Sequence, residues 1–427
     1  MMMTAEILIL SMLFLFLLNT PIAIAIGMSA IVALLFQGES SLMIVVQKLF
    51  GGADSFHLMA VPLFMFTGVI MAAGGVSRRL IDLANSLVGW LPGGMAAVAI
   101  VSSMFFAGIS GSAAADAAAV GAILIPAMKK SGYRSDFAAA VQASGGSIGV
   151  IIPPSIPMII FGYLTGASIG RLFAAGILPG LLIGVSLIMV ACFISIRNGY
   201  TLNAAFSIRQ VLQTLRHGLL PLGAPVIILG GILSGVFTAT ESAAIAVLYG
   251  LILGVCVYKE ISIKELPSLF TEGAIAASIV MFIIAAASVF GWIAAIEDIP
   301  ERLARSLFLI SDNPLVLLLI INVVLLVAGT FMETTAALIL LVPMIAAMQP
   351  VLGIDMIQLG VIVVTNLAIG MLTPPMGICL IVSSSISGDR LTAVGKAVLP
   401  FLAILIVDLL IITFYSPLTM LMADFVK

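Results

Sequence analysis

Apolar runs recur from one end of the chain to the other, and each is close to the roughly 17 to 25 residues that cross a bilayer as a helix. They fall into two series. In the first, helices are predicted at about 5–18 and 22–36, divided by Asn19-Thr20-Pro21, where proline removes a backbone donor. An amphipathic stretch at about 40–52 and a crossing at about 56–73 follow, then a short charged segment with Arg78, Arg79 and Asp82. The second series repeats this order at about 218–236, 240–258, 260–272 and 274–296, with Glu301, Arg302 and Arg305 in its charged segment.

Each series then carries an apolar stretch interrupted at mid-length by small polar residues, Gly94–Met128 and Pro314–Met348. Such a stretch is too long for one crossing and too short for two, which predicts a re-entrant hairpin with its tip inside the membrane. Next come about 136–165 and 356–386, each with a double proline at its middle, read as helices unwound at the bilayer midplane. Plain crossings at about 170–196 and 391–414 close the two series.

The likeness of the series is a duplication. Gly149-x-x-x-Pro153-Pro154 returns as Gly370-x-x-x-Pro374-Pro375, and 374 − 153 gives a shift of 221 positions. The same shift pairs Gly108 with Gly329, Glu39 with Glu260, Gly52 with Gly273 and Pro179 with Pro400. The domains are then a first repeat at 1–197, a linker at 198–217 and a second repeat at 218–427. Five crossings per repeat, with the hairpins not counted, turn the second copy upside down relative to the first. Lys129, Lys130 and Arg134 after the first hairpin, and Arg197, Arg209 and Arg216 in the linker, place those loops in the cytoplasm. The fold class is an all-α polytopic membrane protein with inverted repeats, two re-entrant hairpins and two discontinuous helices.

Composition agrees with the pattern. Of 427 residues, 62% are hydrophobic and 8% charged, against about a quarter charged in a soluble domain. A net charge of −2 leaves no electrostatic footprint for nucleic acid, and lipid is the partner that the surface demands. Cys192, Cys256 and Cys379 lie singly in apolar runs, and His57 and His217 have no acid or cysteine at ligand spacing. No phosphate-cradling loop is present, so energy comes from an ion gradient or a partner. Met1 to Glu6 lack the basic start of a secretion signal, and the segment is read as mature structure.

Candidate chemistry sits at the four interruptions. The tips read Gly108-Ile-Ser110-Gly111-Ser112-Ala-Ala-Ala-Asp116 and Gly329-Thr330-Phe331-Met332-Glu333-Thr334-Thr335. Ser144-Gly145-Gly146-Ser147-Ile148-Gly149 and Thr365-Asn366-Leu367-Ala368-Ile369-Gly370 lead into the prolines. Hydroxyls and carbonyls freed by glycine or proline are the hard oxygen ligands that sodium takes, although the same small residues also serve close helix packing. Asp116 is the sharpest single residue, because an intramembrane carboxylate is costly unless paired, protonated or ligating. A cation ligand competes there with a helix cap. For Glu333, sodium ligation, structural pairing and a proton site stay open. Glu241 and Glu272 are read as interfacial.

At these residues the sequence resembles the large membrane subunit of the tripartite ATP-independent periplasmic (TRAP) transporters, over essentially its full length. The resemblance rests on Val61-Pro62-Leu63-Phe64, Ala73-Gly74-Gly75-Val76, Gly108-Ile109-Ser110-Gly111-Ser112, Ile152-Pro153-Pro154-Ser155, Thr240-Glu241-Ser242-Ala243 and Thr373-Pro374-Pro375. It implies a multi-pass protein of the bacterial inner membrane, partnered by a small four-helix membrane subunit on a separate chain and by a periplasmic substrate-binding protein. It also implies coupling to sodium, two or more ions, and an elevator movement. In that movement both hairpins and both discontinuous helices travel against a scaffold of the remaining helices.

Residue by residue, the resemblance makes Ser110, Ser112 and Asp116 ligands of one sodium, with backbone from Ser144, Gly145 and Gly149. Gly329, Thr330, Glu333, Thr334, Asn366, Gly370 and Thr373 would line a second sodium site and the substrate cavity. Ser147, Pro153, Pro154, Thr334, Asn366, Pro374 and Pro375 are the expected substrate contacts. Gly111-Ser112-Ala-Ala-Ala-Asp116 resembles relatives for sugar acids, such as sialic acid or a gulonate, more than those for C4-dicarboxylates. The rival readings are a stand-alone sodium/dicarboxylate symporter and an intramembrane enzyme, for which no catalytic dyad or metal set is visible.

Overall fold

A computed structural model describes residues 2–18, 20–38, 42–200, 206–308 and 311–426, and all regular structure among them is helical. Asn19 of the first predicted break and Glu39 of the Glu39–Glu260 pair lie outside the described residues. The first helices are α1 (Met2–Leu17), α2 (Ile22–Gln37), α3 (Met43–Ala53) and α4 (Ala60–Ala73). Gly74 and left-handed Gly75 (φ 72°) then turn the chain by 72° into α5 (Val76–Val88). α5 buries Leu80, Leu83 and Ala84 and exposes Arg78, Asp82 and Asn85, the single apolar stripe of a helix lying on a surface.

The chain continues through α6 (Gly94–Ser110), α7 (Ala113–Lys130), α8 (Ser135–Ser147), α9 (Ile156–Thr165) and α10 (Ile169–Arg197). α11 (Ile208–Leu233) opens the second half, so half of the predicted linker at 198–217 is already helical, from Ile208 on. Ser207 starts it by accepting a hydrogen bond from the Gln210 amide at 3.4 Å. α12 (Ala239–Leu251) runs on as a π-helical turn over Ile252–Val257. α13 (Leu266–Ile296) merges two predicted elements, the amphipathic stretch at 260–272 and the crossing at 274–296. Nothing between them breaks a helix. Pro267 sits in the first turn, where its missing N–H costs nothing, and Gly273 stays helical against the ring of Phe66. α14 (Ile299–Phe308), α15 (Pro314–Phe331), α16 (Thr334–Ala346), α17 (Gln349–Leu352), α18 (Met356–Gly370), α19 (Ile378–Ser387), α20 (Leu391–Phe414) and α21 (Pro417–Ala423) complete the fold.

Six described helices are long and apolar enough to cross a membrane alone: α10, α11, α12 with its π turn, α13, α15 and α20. The bent pair α4–α5 is a seventh candidate. The protein is therefore a multi-pass membrane protein. Both double prolines lie in helix interruptions, at 148–155 between α8 and α9 and at 371–377 between α18 and α19, and both prolyl bonds are cis.

Packing groups the helices into two bodies. In one, α13 lies against α2, α3 and α4, while α12 and α11 close on α4 and α5. In the other, α6, α7, α8 and α19 pack together, α15 and α16 pack on α18, and α10 and α20 lie along these elements. The closing crossings α10 and α20 thus pack with α6, α8 and α18, where the sequence reading grouped them with the remaining helices. Glycine is the reason on α10: a Cβ at Gly176 would sit 2.7 Å from Ile151 O, at Gly180 2.5 Å from Ile152, and at Gly184 2.4 Å from Met104. This stripe of small residues lets the helix press on the first interruption and on α6.

α10 also holds α20 through a buried pair, Ser186 Oγ donating to Asp408 Oδ2 at 2.5 Å. Ser186→Ala leaves that carboxylate short of its donor. The expected cost is ~1–3 kcal/mol, read as a lower melting temperature in detergent; an unchanged melting curve argues against a stabilising role for the pair.

Candidate functional site

The first tip is built by three residues. α6 ends at Ser110 because Gly111 enters the left-handed region (φ 64°) and Ser112 is extended (φ −134°, ψ 119°). α7 restarts at once and holds Asp116 in its first turn, where a negative charge suits the helix end. Asp116 is fully buried. Its Oδ1 accepts a short hydrogen bond from Ser110 Oγ, and Oδ2 has no protein partner. No lysine or arginine among the described residues pairs with it.

That free oxygen lies against the first interruption. A Cβ at Gly149 would come within 2.2 Å of Asp116 Oδ2 and 3.1 Å of Ser112 O, so only glycine leaves room beside the carboxylate. The Ile156 amide, at the start of α9, donates to Gly111 O at 3.3 Å and fastens tip to interruption. Ser110, Ser112, Asp116 and Gly149 therefore meet at one point, although 33 residues separate the last two (149 − 116). The Ser144 and Ser147 hydroxyls are spent within their own helix, donating to Ala140 O and Ser144 O, both at 2.8 Å. Gly145 faces Ser103 of α6.

The second tip differs in chemistry. Met332 is extended, and Glu333 caps α16 by accepting from the Thr335 amide at 2.8 Å, the Ala336 amide at 3.3 Å and Thr335 Oγ1 at 3.1 Å. Of the roles left open for Glu333, these bonds are a structural pairing, in the form of a helix N-cap. Gly329 and Gly370 touch backbone to backbone; a Cβ on Gly370 would lie 2.6 Å from both Cα and C of Gly329. Thr330 and Thr373 turn their hydroxyls back onto Leu326 O and Ile369 O, each at 2.9 Å. Asn366 Nδ2 donates to Asn322 Oδ1 at 2.7 Å, and Asn322 Nδ2 donates to Thr413 Oγ1 at 3.1 Å. Asn366 Oδ1 and Thr365 Oγ1 are left buried without partners.

One cavity of about 90 Å³ joins the tips. Its wall takes the starts of four helices: Ala113 and Ala114 of α7, Ile156 and Pro157 of α9, Thr334 and Thr335 of α16, and Ile378 of α19. Met65 of α4 and Val280 of α13 close it from the other body. The starts of four helices at one small space favour an anion there through their partial positive charges, while some first-turn amides are already taken, Ile156 N by Gly111 O and Thr335 N and Ala336 N by Glu333, which also lines the cavity. The volume suits a carboxylate with water, and is far below the ~300 Å³ of a site enclosing a whole small molecule. Of the expected substrate contacts, Thr334 lines it. Pro153 and Pro154 are buried beneath the first tip, Ser147 and Asn366 lie within helices beyond the wall, Pro374 packs on Gly395 of α20, and Pro375 is exposed.

Residues passed over in the sequence complete this picture. Asn322 positions Asn366, and Asp408 ties α20 to α10. Each was visible as a polar side chain inside an apolar helix, the signal that marks function or pairing in a membrane.

The chain matches the model of the "Tripartite ATP-independent periplasmic transporter, DctM component" over residues 9–418. It is 39% identical to the sialic acid TRAP transporter large permease protein SiaM of Vibrio cholerae, covering 95% of each chain. It is 40% identical to the C4-dicarboxylate TRAP transporter large permease protein DctM of Pseudomonas aeruginosa, covering 91% of each. It is 41% identical to the isethionate TRAP transporter permease protein DctMQ of Oleidesulfovibrio alaskensis, over 95% of this chain but 64% of that longer relative. Among solved structures, the YdaH transporter of Alcanivorax borkumensis shares the fold, with a TM-score of 0.60 over 88% of this chain and 90% of the other at 15% identity.

Proposed function

The chain belongs to the family of DctM components of tripartite ATP-independent periplasmic transporters, and from that premise we propose that it imports an organic acid across the bacterial inner membrane, driven by sodium. One observation carries this reading: the starts of four interrupted helices converge on a single cavity, beside a buried carboxylate with an unspent oxygen. The cavity receives the acid group of the substrate. Asp116, Ser110 Oγ and the backbone around Ser112 and Gly149 hold sodium next to it. The residues fit a hard cation, because a buried carboxylate oxygen without a donor or counter-charge is the feature such an ion satisfies.

Coupling follows from shared parts. Ser112 and its neighbours belong both to the cation cluster and to the cavity wall, so filling one site orders the other. Asp116 with its cation neutralised crosses the bilayer at lower cost than Asp116 alone, which favours movement of the loaded hairpin body. We assign the two interruptions and both tips to the moving body of an elevator, with the tips as re-entrant hairpins and the halves as inverted repeats. A small membrane subunit and a periplasmic binding protein complete the transporter. Relatives named for sialic acid, a C4-dicarboxylate and isethionate all take anions, and the Gly111-to-Asp116 tip favours a sugar acid here.

The test is uptake into proteoliposomes holding this chain, the small subunit and the binding protein, run over several organic acids. The expected result is uptake of one acid class that requires an inward sodium gradient and the binding protein. Uptake without the binding protein identifies a stand-alone carrier instead, and uptake indifferent to sodium removes the coupling assigned to Asp116.

A further inference from the structure

Away from the tips, a groove of about 1010 Å³ opens between α10 and α20 at the end of the molecule that carries the basic loops. Its mouth is cationic. Arg197 ends α10, Arg390 and Lys396 begin α20, and all three are exposed. None of the three has an ion-pair partner among the described residues. Arg134, on the same rim, is already taken by Asp136 through bonds of 3.1 and 2.6 Å, and Asp136 is the one acid lining the groove. The three free cations come from both halves of the chain, 193 residues apart at the first step (390 − 197), yet converge on one concavity.

Below the mouth the groove is lined by Phe137, Val190, Phe193 and Ile194. Phe193 is 67% exposed, and beyond the groove Met189, Val185 and Leu181 continue at four-residue steps down the same face of α10, 60%, 54% and 47% exposed. At 1.5 Å per residue the stripe is about 18 Å long, the reach of an extended acyl chain. We infer that this groove binds one anionic phospholipid, its phosphate held by Arg197, Arg390 and Lys396 and an acyl chain laid along Phe193. Charge alone at a membrane end is ordinary. The combination of unpaired cations around a concavity with a continuous apolar track leading from it matches a lipid rather than a soluble anion.

The experiment uses the full chain, in the membrane complex from which it is purified, placed in phosphatidylcholine nanodiscs. Phe193→Trp puts a reporter in the groove, and its fluorescence is compared with that of the unsubstituted protein. Phosphatidylglycerol with brominated acyl chains, added as a minor component, is expected to quench the reporter more strongly than the same fraction of brominated phosphatidylcholine. Each of R197A, R390A and K396A should weaken that preference roughly fivefold. The charge-keeping set R197K, R390K and K396R should retain it, and Lys396→Glu tests the charge at an exposed position if the alanine set folds poorly. Equal quenching by the two lipids, or a preference untouched by removing the cations, overturns the assignment. Relief of quenching by inorganic phosphate also overturns it, because the groove then takes a free anion.

Discussion

Asp116→Ala is expected to abolish sodium-dependent uptake while the protein still assembles with its partners. The carboxylate is buried, one oxygen is held by Ser110, and the other has no hydrogen-bond partner and faces Gly149. A carboxylate in that setting has no counter-charge of its own, so the proposed sodium supplies it. Its removal should cost on the order of a hundredfold or more in sodium affinity, as when one partner of a buried charge pair is deleted. Asp116→Asn keeps the shape and can still accept from Ser110, and it too should lose sodium dependence. If the asparagine variant transports with an unchanged sodium requirement, the side chain is structural.

Gly370→Ala should be nearly as damaging by a different route. The added methyl would lie 2.6 Å from two backbone atoms of Gly329, and no flexible side chain is there to yield. The second tip must then back away from the second interruption, at ~1–3 kcal/mol, which lowers the population of the closed tip on the order of ten- to a hundredfold. Uptake should fall accordingly, with little loss of expressed protein. Gly291→Ala in α13 is the matched control, since nothing lies within 4 Å of its Cβ, and it should be neutral or slightly stabilising. Equal effects of the two changes would mean that the close approach of the second tip to the second interruption plays no part.

The interruptions were legible in the sequence because broken helices need residues that break them. Gly111, the double prolines, and Gly149 with its counterpart Gly370 mark places where backbone bends or where another chain segment comes close, and both demands leave glycine or proline behind. What the pattern could not carry was partnership. Ser186 bonds Asp408 across 222 positions, and Asn322, Asn366 and Thr413 form a chain drawn from three helices. In an apolar sequence a lone polar residue announces that it has a partner without saying which.

The same limit hid the two-body packing. Glycine is common in a membrane helix, and only the contacts of Gly176, Gly180 and Gly184 show that α10 packs on the first interruption and on α6. The division between 260–272 and 274–296 failed for a related reason: Gly273 stays helical in a continuous α13, where its missing side chain admits the ring of Phe66.

The most direct test is the melting temperature of the purified complex as a function of sodium concentration at constant ionic strength, with choline as the replacement cation. A ligand that binds the folded protein raises stability with the logarithm of its concentration once above its dissociation constant. The expected result is a rise with sodium, absent with potassium, and a flat line for Asp116→Asn whose value in choline equals that of the parent. A parent protein indifferent to sodium, or an Asp116→Asn variant that climbs with it to the same extent, would contradict the assignment of Asp116 and Gly149 as the cation site.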